Sequence, residues 1–398
     1  MEYYKKVWMV MLFGWLMVYA NRMVFSSCLP LIMEEFNLSH TLAGLLFTAY
    51  FYLYMAMQFP AGLLGDKFGR KRVLSTGTLL WSIIALVTSL ARSFYELFLY
   101  RALLGLTQGT YFGNDRSIVA SCTPKDRRGL GQGVSLTGMG IGMALGMIVG
   151  GYVAEGFGWR MAIATLALPS FIAFFLILTI VKEVKGERRT MSMEKSYREA
   201  VKSRTLWTLY VIHALIMYPY WVIGTWAPKV FLEIGVKELG IASVYSSLLG
   251  ISAIPGLIIL GRLSDWFEKV GIGRLSLIAL AFTPLTLSMF LTGYVIETLA
   301  FAVIAPVLIF VDGMFIWGLF ATLYSFVADI TPAKVYASIF GLLNAIGFIS
   351  SLIAPSLTGV IRDVTGSFAW GFYVGGLIAL AGTLLTLALK KTIKKLVF

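Results

Sequence analysis

The sequence has little charge and few of the side chains that commonly carry chemistry. Only 13% of its 398 residues are charged, whereas a soluble domain averages about 25%. It contains two cysteines and two histidines, too few for the usual His-based or Cys-based metal sites. A Cys pair and the HExxH and GxSxG motifs are absent from the sequence. We therefore expect neither an enzyme nor a protein that holds a metal or another cofactor.

The sequence is instead rich in long apolar runs. Hydrophobic residues make up 58% of the chain, and a membrane-spanning helix needs about 20 mainly apolar residues. Runs of that length recur from end to end and predict twelve spans in a lipid bilayer. The predicted spans are 7–29, 41–64, 73–90, 94–120, 129–155, 161–182, 206–228, 242–263, 275–294, 299–327, 335–361 and 369–389.

Basic residues are numerous, and their positions indicate a membrane topology. The net charge of +13 could by itself suggest binding to nucleic acid. With these spans, however, most of the 33 Lys and Arg residues fall in segments on one side of the membrane. The positive-inside rule makes that side the cytoplasm and places both termini there. Because topology explains the charge, nucleic acid is not an expected partner.

The longest polar stretch, 182–204, divides the predicted spans into six and six. We expect an N-terminal six-helix bundle over 1–184, a cytoplasmic linker over 185–204 and a C-terminal six-helix bundle over 205–398. The linker is predicted to be solvated and to face lipid headgroups.

Short segments of the first half return in the second half. The segment Gly62–Asp66 is matched by Gly261–Asp265, and Thr123-Pro124 by Thr331-Pro332, at nearly constant spacing. Such self-similarity is the signature of an internal repeat. It predicts an all-α membrane protein of twelve transmembrane helices in two six-helix pseudo-repeats, an architecture of transporters.

The segment Gly62–Arg72 reads Gly-Leu-Leu-Gly-Asp-Lys-Phe-Gly-Arg-Lys-Arg and resembles, without gaps, the signature of the major facilitator superfamily. The resemblance implies transport of a small solute by alternating access. The acid of the segment could accept N–H groups at a helix start and pair with a basic neighbour, which would form a conformational latch. Alternatively, the loop only fixes topology through its charge. The predicted latch residues are Gly62, Asp66, Lys67, Gly69, Arg70 and, in the second copy, Asp265.

Other positions resemble the anion:cation symporter branch of that family, which carries organic anions. Asn21-Arg22 stands in span 1 where this branch has an Asp-Arg pair. In span 4, Arg101 is followed by Gln108 where the branch has Glu, and Asn344 fits its C-terminal pattern. The resemblance implies an organic anion as the substrate. Because an amide does not shuttle protons, we do not expect proton coupling through Asn21 or Gln108.

Two arginines inside predicted spans are the strongest candidates on physical grounds. At 1.5 Å per residue, Arg22 and Arg101 lie roughly 8 Å and 10 Å from the outer side. Two guanidinium groups at one level could bind a carboxylate or phosphate; the alternative is a structural role with bonds to helix carbonyls or extension to the interface. The predicted substrate-binding residues are Arg22, Arg101, Asn21, Gln108, Tyr220, Trp221 and Asn344.

The span pattern leaves one acid, Asp312, deep inside the membrane, and His213 also lies within a span. Either group could supply a coupling proton; the alternatives are an ion pair for Asp312 and a hydrogen-bonded structural role for His213. A nucleotide-binding motif is not visible in the sequence, so a solute or ion gradient must drive transport.

We therefore predict a secondary transporter of a small organic anion in the plasma membrane, with a proton or cation as the candidate coupling partner. The competing interpretations are a proton-driven drug exporter of the same superfamily, a non-transporting sensor and a polytopic membrane enzyme.

Glycines recur every four residues in predicted span 5, at Gly138, Gly142, Gly146 and Gly150. This spacing places them on one helix face. A face of small residues predicts either static close packing against another helix or sliding along it.

Overall fold

The computed structural model describes residues 2–124, 127–183, 202–299, 302–331 and 336–397. Within these ranges the regular structure is helical, and none of the described residues lies in a strand. The predicted all-α class is confirmed for this part of the chain. In chain order the longer α-helices are α1 (Tyr3–Glu35), α2 (His40–Phe68), α3 (Arg70–Thr88), α4 (Phe94–Gln108), α5 (Tyr111–Cys122), α6 (Arg128–Ile180), α7 (Arg204–Glu233), α8 (Leu239–Ile251), α9 (Gly261–Lys269), α10 (Arg274–Thr298), α11 (Ala305–Ile330), α12 (Tyr336–Thr365) and α13 (Ala369–Val397). Short helical segments cover Ala253–Pro255, Gly256–Leu260 and Ala302–Ile304.

Nine helical segments are long and apolar enough to cross a membrane, counted over the described residues. One of them lies in α6, which has 53 residues and would measure about 80 Å as a straight helix, far more than the roughly 30 Å of a bilayer core. This helix kinks at Gly158, where φ is 82° and ψ is 160°, a conformation that glycine adopts without steric cost. The kink falls between predicted spans 129–155 and 161–182. The total of twelve spans and the internal repeat stay predictions.

Two helices have the most buried apolar windows. In the most apolar window of α1, 78% of the residues are buried, and in that of α7 the share is 72%, whereas α6 reaches only 33%. Residues on α1 and α7 are therefore enclosed mostly by other protein segments. Side chains on these two helices are placed to meet protein groups or a ligand.

The helices group into two compact units. The first unit contains Met1–Arg188 together with Ala227–Gly250, and the second contains Arg189–Trp226 together with Ile251–Phe398. The last residues of α7 and most of α8 thus belong to the first unit. Most of the predicted linker lies outside the described residues, and the predicted domain boundaries stay a prediction.

The four glycines of predicted span 5 face α1. A Cβ atom added at Gly138 or Gly142 would overlap the backbone oxygen of Leu12 or Leu16, respectively, and one at Gly150 would press on Val24. A Cβ atom added at Gly146 would likewise overlap the backbone oxygen of Ala20 on α1. The prediction that these glycines share a packing face is confirmed, and the face lies directly against a helix backbone.

Replacing Gly142 by Ala should destabilise the protein, because the new methyl group forces α1 and α6 apart. Overpacking of this kind costs about 1–3 kcal/mol, so the thermal unfolding midpoint in detergent should fall. Gly133→Ala is the matched control in the same helix, since a Cβ there meets nothing within 4 Å. Equal midpoints for the two variants would contradict the close packing.

Candidate functional site

A chain of buried hydrogen bonds joins α1, α2 and α4. Arg22 of α1 donates from Nε and Nη2 to the hydroxyl of Tyr50 on α2, at 3.0 Å and 2.6 Å. The Tyr50 hydroxyl in turn donates to Oε1 of Gln108 on α4. All three side chains are 0% exposed. Arg22 and Gln108, both predicted substrate residues, are thus brought together by a tyrosine.

A glycine allows this approach of α4 to α2. Gly105 precedes Gln108 by one turn, and a Cβ atom there would overlap the backbone oxygen of Tyr50. Gly109 likewise faces the backbone oxygen of Tyr54, 2.7 Å from where its Cβ would lie. Because the two backbones touch, the amide of Gln108 reaches the hydroxyl of Tyr50.

Arg101 also lies over the ring of this tyrosine. Its guanidinium carbon is 4.7 Å from the ring centroid of Tyr50 and 4.2 Å from that of Phe25. The guanidinium carbon of Arg22 is 5.0 Å from the Tyr50 ring and 4.7 Å from that of Tyr19. Cation–π attraction offsets part of the cost of burying the two charges. We call Arg22, Tyr50, Arg101 and Gln108 the guanidinium cluster.

Arg101 keeps hydrogen-bond donors that nothing in the described part of the chain accepts. The side chain is 1% exposed, and its Nε and Nη2 atoms have no hydrogen-bond partner among the described residues. The Nε2 atom of Gln108 is also buried and has no hydrogen-bond partner among the described residues. An unpaired buried donor costs about 1–3 kcal/mol when it is neutral, and more when it is charged. The cluster is therefore a set of donors suited to an anionic acceptor.

A small cavity adjoins Arg101 and also touches Asn21 and Thr88. Its volume is about 10 Å³, which is room for about one water molecule. Asn21 itself donates from Nδ2 to the backbone oxygens of Met17 and Leu166 and to Ser170 Oγ at 2.7 Å. Asn21 thus joins α1 to α6. An organic anion would require the cluster to open.

In the second unit, two predicted substrate residues and His213 join an aromatic cluster on α7 and α11. The ring of Tyr220 lies 4.9 Å from that of Trp221, 5.6 Å from Trp317 and 6.0 Å from Phe320. The ring of Phe320 is 5.5 Å from that of His213. Sequence reasoning missed the α11 members, although Trp317, Phe320 and Tyr324 recur at helical spacing.

His213 holds three helices of the second unit together. Its Nδ1 atom lies 2.9 Å from the backbone oxygen of Leu343 on α12, and Nε2 lies 3.1 Å from the hydroxyl of Tyr324 on α11. Both ring nitrogens are thus engaged, which favours the structural alternative for this histidine. The next residue, Asn344, is buried beside this contact.

A second acid, Asp115 of α5, is also fully buried in the protein. Its Oδ2 atom accepts from Nε1 of Trp15 at 2.6 Å and from Nε of Arg116 at 2.8 Å. Arg116 in turn donates from Nη1 to Oε1 of Gln132 on α6 at 2.6 Å. Asp115 falls within predicted span 94–120, which was the available signal. Its paired surroundings give it a structural role between α1, α5 and α6.

At the start of α3 the observed acceptor is Glu183. Its carboxylate accepts from the backbone N–H groups of Lys71 at 2.9 Å and Arg72 at 3.2 Å. Gly69, with φ of 104°, lets this carboxylate approach, since a Cβ there would lie 2.6 Å from Glu183 Cδ. The sequence predicts Asp66 as the acid at a helix start. The side chain of Asp66 lies outside the described part of the structure.

The remaining predicted latch residues have different local surroundings. A Cβ atom added at Gly62 would meet nothing within 4 Å, and Lys67 lies over the ring of Phe68 at 5.1 Å. Arg70 is the first residue of α3. In the second unit, Asp265 pairs with Arg274 at 2.9 Å. The role of these residues as a latch stays a prediction.

Comparison with known proteins gives one family and full-length relatives. The family described as Major Facilitator Superfamily matches residues 11–355. The probable sulfoacetate transporter SauU of Cupriavidus necator is 27% identical over 95% of this chain and 92% of its own length. The hexuronate transporter of Bacillus subtilis is 25% identical over 92% of this chain and 90% of its own length.

A solved structure has the same fold. A bacterial homolog of the human lysosomal transporter Spinster, in an inward-facing and occupied conformation, superposes with a TM-score of 0.85. The match covers 99% of this chain and 98% of that chain at 16% identity. At this identity the likeness concerns the fold alone.

Replacing Tyr50 by Phe should destabilise the protein. The hydroxyl accepts from Arg22 and donates to Gln108, so its removal leaves charged donors buried without their acceptor, at a cost of about 1–3 kcal/mol. The thermal unfolding midpoint should fall in detergent. Tyr95→Phe is the control, since this tyrosine is 82% exposed. An unchanged midpoint for Tyr50→Phe would refute the hydrogen-bond chain.

Proposed function

Because this chain belongs to the Major Facilitator Superfamily, we propose that it is a secondary transporter of a small organic anion. Its relatives and structural neighbours are transporters and not enzymes. The observation that carries the proposal is Arg101, a buried guanidinium group whose Nε and Nη2 atoms have no acceptor among the described residues. A carboxylate or sulfonate would supply the missing acceptors and the missing negative charge.

The chemistry of the cluster favours an oxyanion over a neutral solute. A guanidinium group presents a planar fork of donors that matches a carboxylate in two parallel hydrogen bonds. Arg22 and Arg101 both lie within about 5 Å of one tyrosine ring, so a single anion can reach both once the ring moves. Sulfoacetate and hexuronates, which name two relatives, carry such groups.

We propose that Arg22, Arg101 and Gln108 contact the anion, and that Tyr50 acts as an internal substitute for it. In the described state the Tyr50 hydroxyl accepts from Arg22. An arriving carboxylate would replace this hydroxyl as the acceptor and turn the ring away. The other predicted substrate residues, Asn21, Tyr220, Trp221 and Asn344, stay candidates for orienting the rest of the substrate.

The transport cycle is proposed to follow alternating access, driven by a solute or ion gradient. Asp312 and His213 are the candidate coupling groups. The protein is multi-pass, and we propose that it lies in the plasma membrane with both termini in the cytoplasm, as the positive-inside rule indicates.

A drug exporter of the same superfamily is the second candidate. The aromatic cluster of Tyr220, Trp317 and Phe320 is the observation that favours it, since aromatic surfaces bind lipophilic cations.

The protein reconstituted in liposomes should take up labelled glucuronate or sulfoacetate, and unlabelled anion should compete. Uptake of tetraphenylphosphonium without any anion uptake would favour the exporter instead.

Replacing Arg101 by Met should separate binding from stability. The variant removes a buried charge that lacks acceptors, so the thermal midpoint of the ligand-free protein should stay or rise. Anion affinity should fall about 10- to 150-fold, as expected for loss of about 1.5–3 kcal/mol in charged hydrogen bonds. The concentration dependence of uptake measures the anion affinity, and thermal unfolding in detergent measures the stability.

Arg92→Met serves as the control, because Arg92 is an exposed arginine away from the cluster. It should leave uptake unchanged. If Arg101→Met lowers the midpoint and retains anion uptake, Arg101 is a structural residue and the proposed binding role is wrong.

A further inference from the structure

Helix α6 packs against α8 along a line of small residues. A Cβ atom added at Gly250 of α8 would lie 2.9 Å from the backbone oxygen of Gly140, and one added at Gly151 of α6 would overlap the side chain of Ser243. As the residue number rises along α6 it falls along α8, so the two helices run antiparallel. This contact is distinct from the one that α6 makes with α1 through the four glycines described above.

A hydrogen bond joins the two helices at one end of this contact. Oε2 of Glu155 on α6 accepts from the backbone N–H of Gly240 at 2.7 Å. Gly240 is the second residue of α8, and the first N–H groups of a helix have no partner within the helix. The carboxylate satisfies one of these donors and places a negative charge at the positive end of the helix dipole. A Cβ atom at Gly240 would press on the ring of Tyr152, at 2.6 Å, so the close approach depends on this glycine.

The contact joins segments that the sequence assigns to different bundles. Glu155 lies in the predicted N-terminal bundle, 1–184, and α8 lies in the predicted C-terminal bundle, 205–398. The structure groups Ala227–Gly250 with the first unit, as expected when α6 holds the start of α8. In the topology that the positive-inside rule predicts, Glu155 and Gly240 lie at the outer ends of their spans.

A second polar contact lies on the same predicted side. Helix α2 begins at His40, whose Nε2 atom lies 3.7 Å from Oε1 of Glu233, the last residue of α7. The short segment 234–238 connects α7 to α8. Both ends of this connection are thus in contact with polar side chains of α2 and α6.

We propose that Glu155, Gly151, Gly240 and Ser243 form a lock that keeps the outer side of the carrier closed, and we call these residues the outer lock. In alternating access, two bundles separate on one side at a time. Outward opening therefore requires α8 to leave α6 and Glu155 to lose its N–H donor. The inference rests on the proposed transport function, because a lock has a role only in a protein that alternates between two states.

The test measures how fast a buried cysteine reacts with a membrane-impermeant maleimide added outside intact cells. The full chain carries Cys28→Ser and Cys122→Ser, which remove its two natural cysteines, and the reporter Ser247→Cys. Ser247 is buried and lies one turn beyond Ser243 on the same face of α8. Glu155→Ala should raise the labelling rate roughly three- to ten-fold, because one hydrogen bond that stabilises the closed state is lost.

Glu35→Ala is the matched control for the carboxylate. Glu35 is the last residue of α1, on the same predicted side, and accepts from Nε1 of Trp159 and Nη1 of Arg160, both at 2.7 Å. These contacts join α1 to α6 within one predicted bundle. The variant should lower the thermal unfolding midpoint in detergent and leave the labelling rate of the reporter unchanged.

A second pair of variants tests the closed contact without altering the carboxylate. Gly151→Ala places a methyl group against Ser243, which should separate α8 from α6 and raise the labelling rate. Gly156→Ala is its control in the same helix, since a Cβ atom there would meet nothing within 4 Å among the described residues. This control should be labelled at the rate of the reporter alone. The glycine pair decides the question if Glu155→Ala does not fold.

Four results would overturn the outer lock: fast labelling of the reporter with Glu155 in place, no rise in Glu155→Ala, an equal rise in Glu35→Ala, or equal labelling of the two glycine variants. Labelling is measured without substrate, and anion uptake in liposomes is scored separately. Unchanged labelling together with anion uptake refutes only the lock. Raised labelling in a protein that takes up no anion refutes only the proposed substrate.

Discussion

A positive charge inside a lipid-embedded protein must be surrounded by electron-rich groups, and this requirement organises the first unit. Tyr50 meets it for two arginines at once, since its hydroxyl accepts from Arg22 and its ring faces the guanidinium group of Arg101. Aromatic rings reduce the cost of burying a charge without neutralising it. The donors of Arg101 that remain without acceptors among the described residues are therefore available to an anion.

This arrangement depends on helix backbones that touch. Gly105 lets α4 approach the backbone of α2 at Tyr50, and Gly142 lets α6 approach α1 at Leu16. Packing between membrane helices gains little from the hydrophobic effect, so small residues and close contact supply much of the attraction. Larger residues at these positions would separate the helices and move Arg22, Gln108 and Tyr50 out of hydrogen-bond range.

The two buried acids illustrate how neighbours decide the role of a charge. Asp115 receives hydrogen bonds from Trp15 and Arg116, so its charge is satisfied by the protein and it joins helices. Asp312 is equally buried, but its polar neighbours are the uncharged hydroxyl groups of Ser288 and Thr292. Burial alone does not decide the role of an acid; the charge of its neighbours also matters.

The sequence by itself determined the helical membrane class, the family and the two arginines as candidates, because apolar length, charge and a contiguous motif can be recognised without knowing which helices touch. Only the tertiary structure decided that Asn21 bonds to Ser170, that Glu183 binds the start of α3, and that Asp115 is paired. Each of these depends on how a helix is rotated about its axis and on which segment lies beside it. Contacts between residues distant in the chain determine the rotation and the neighbours of each helix. A local sequence pattern contains no information about such contacts.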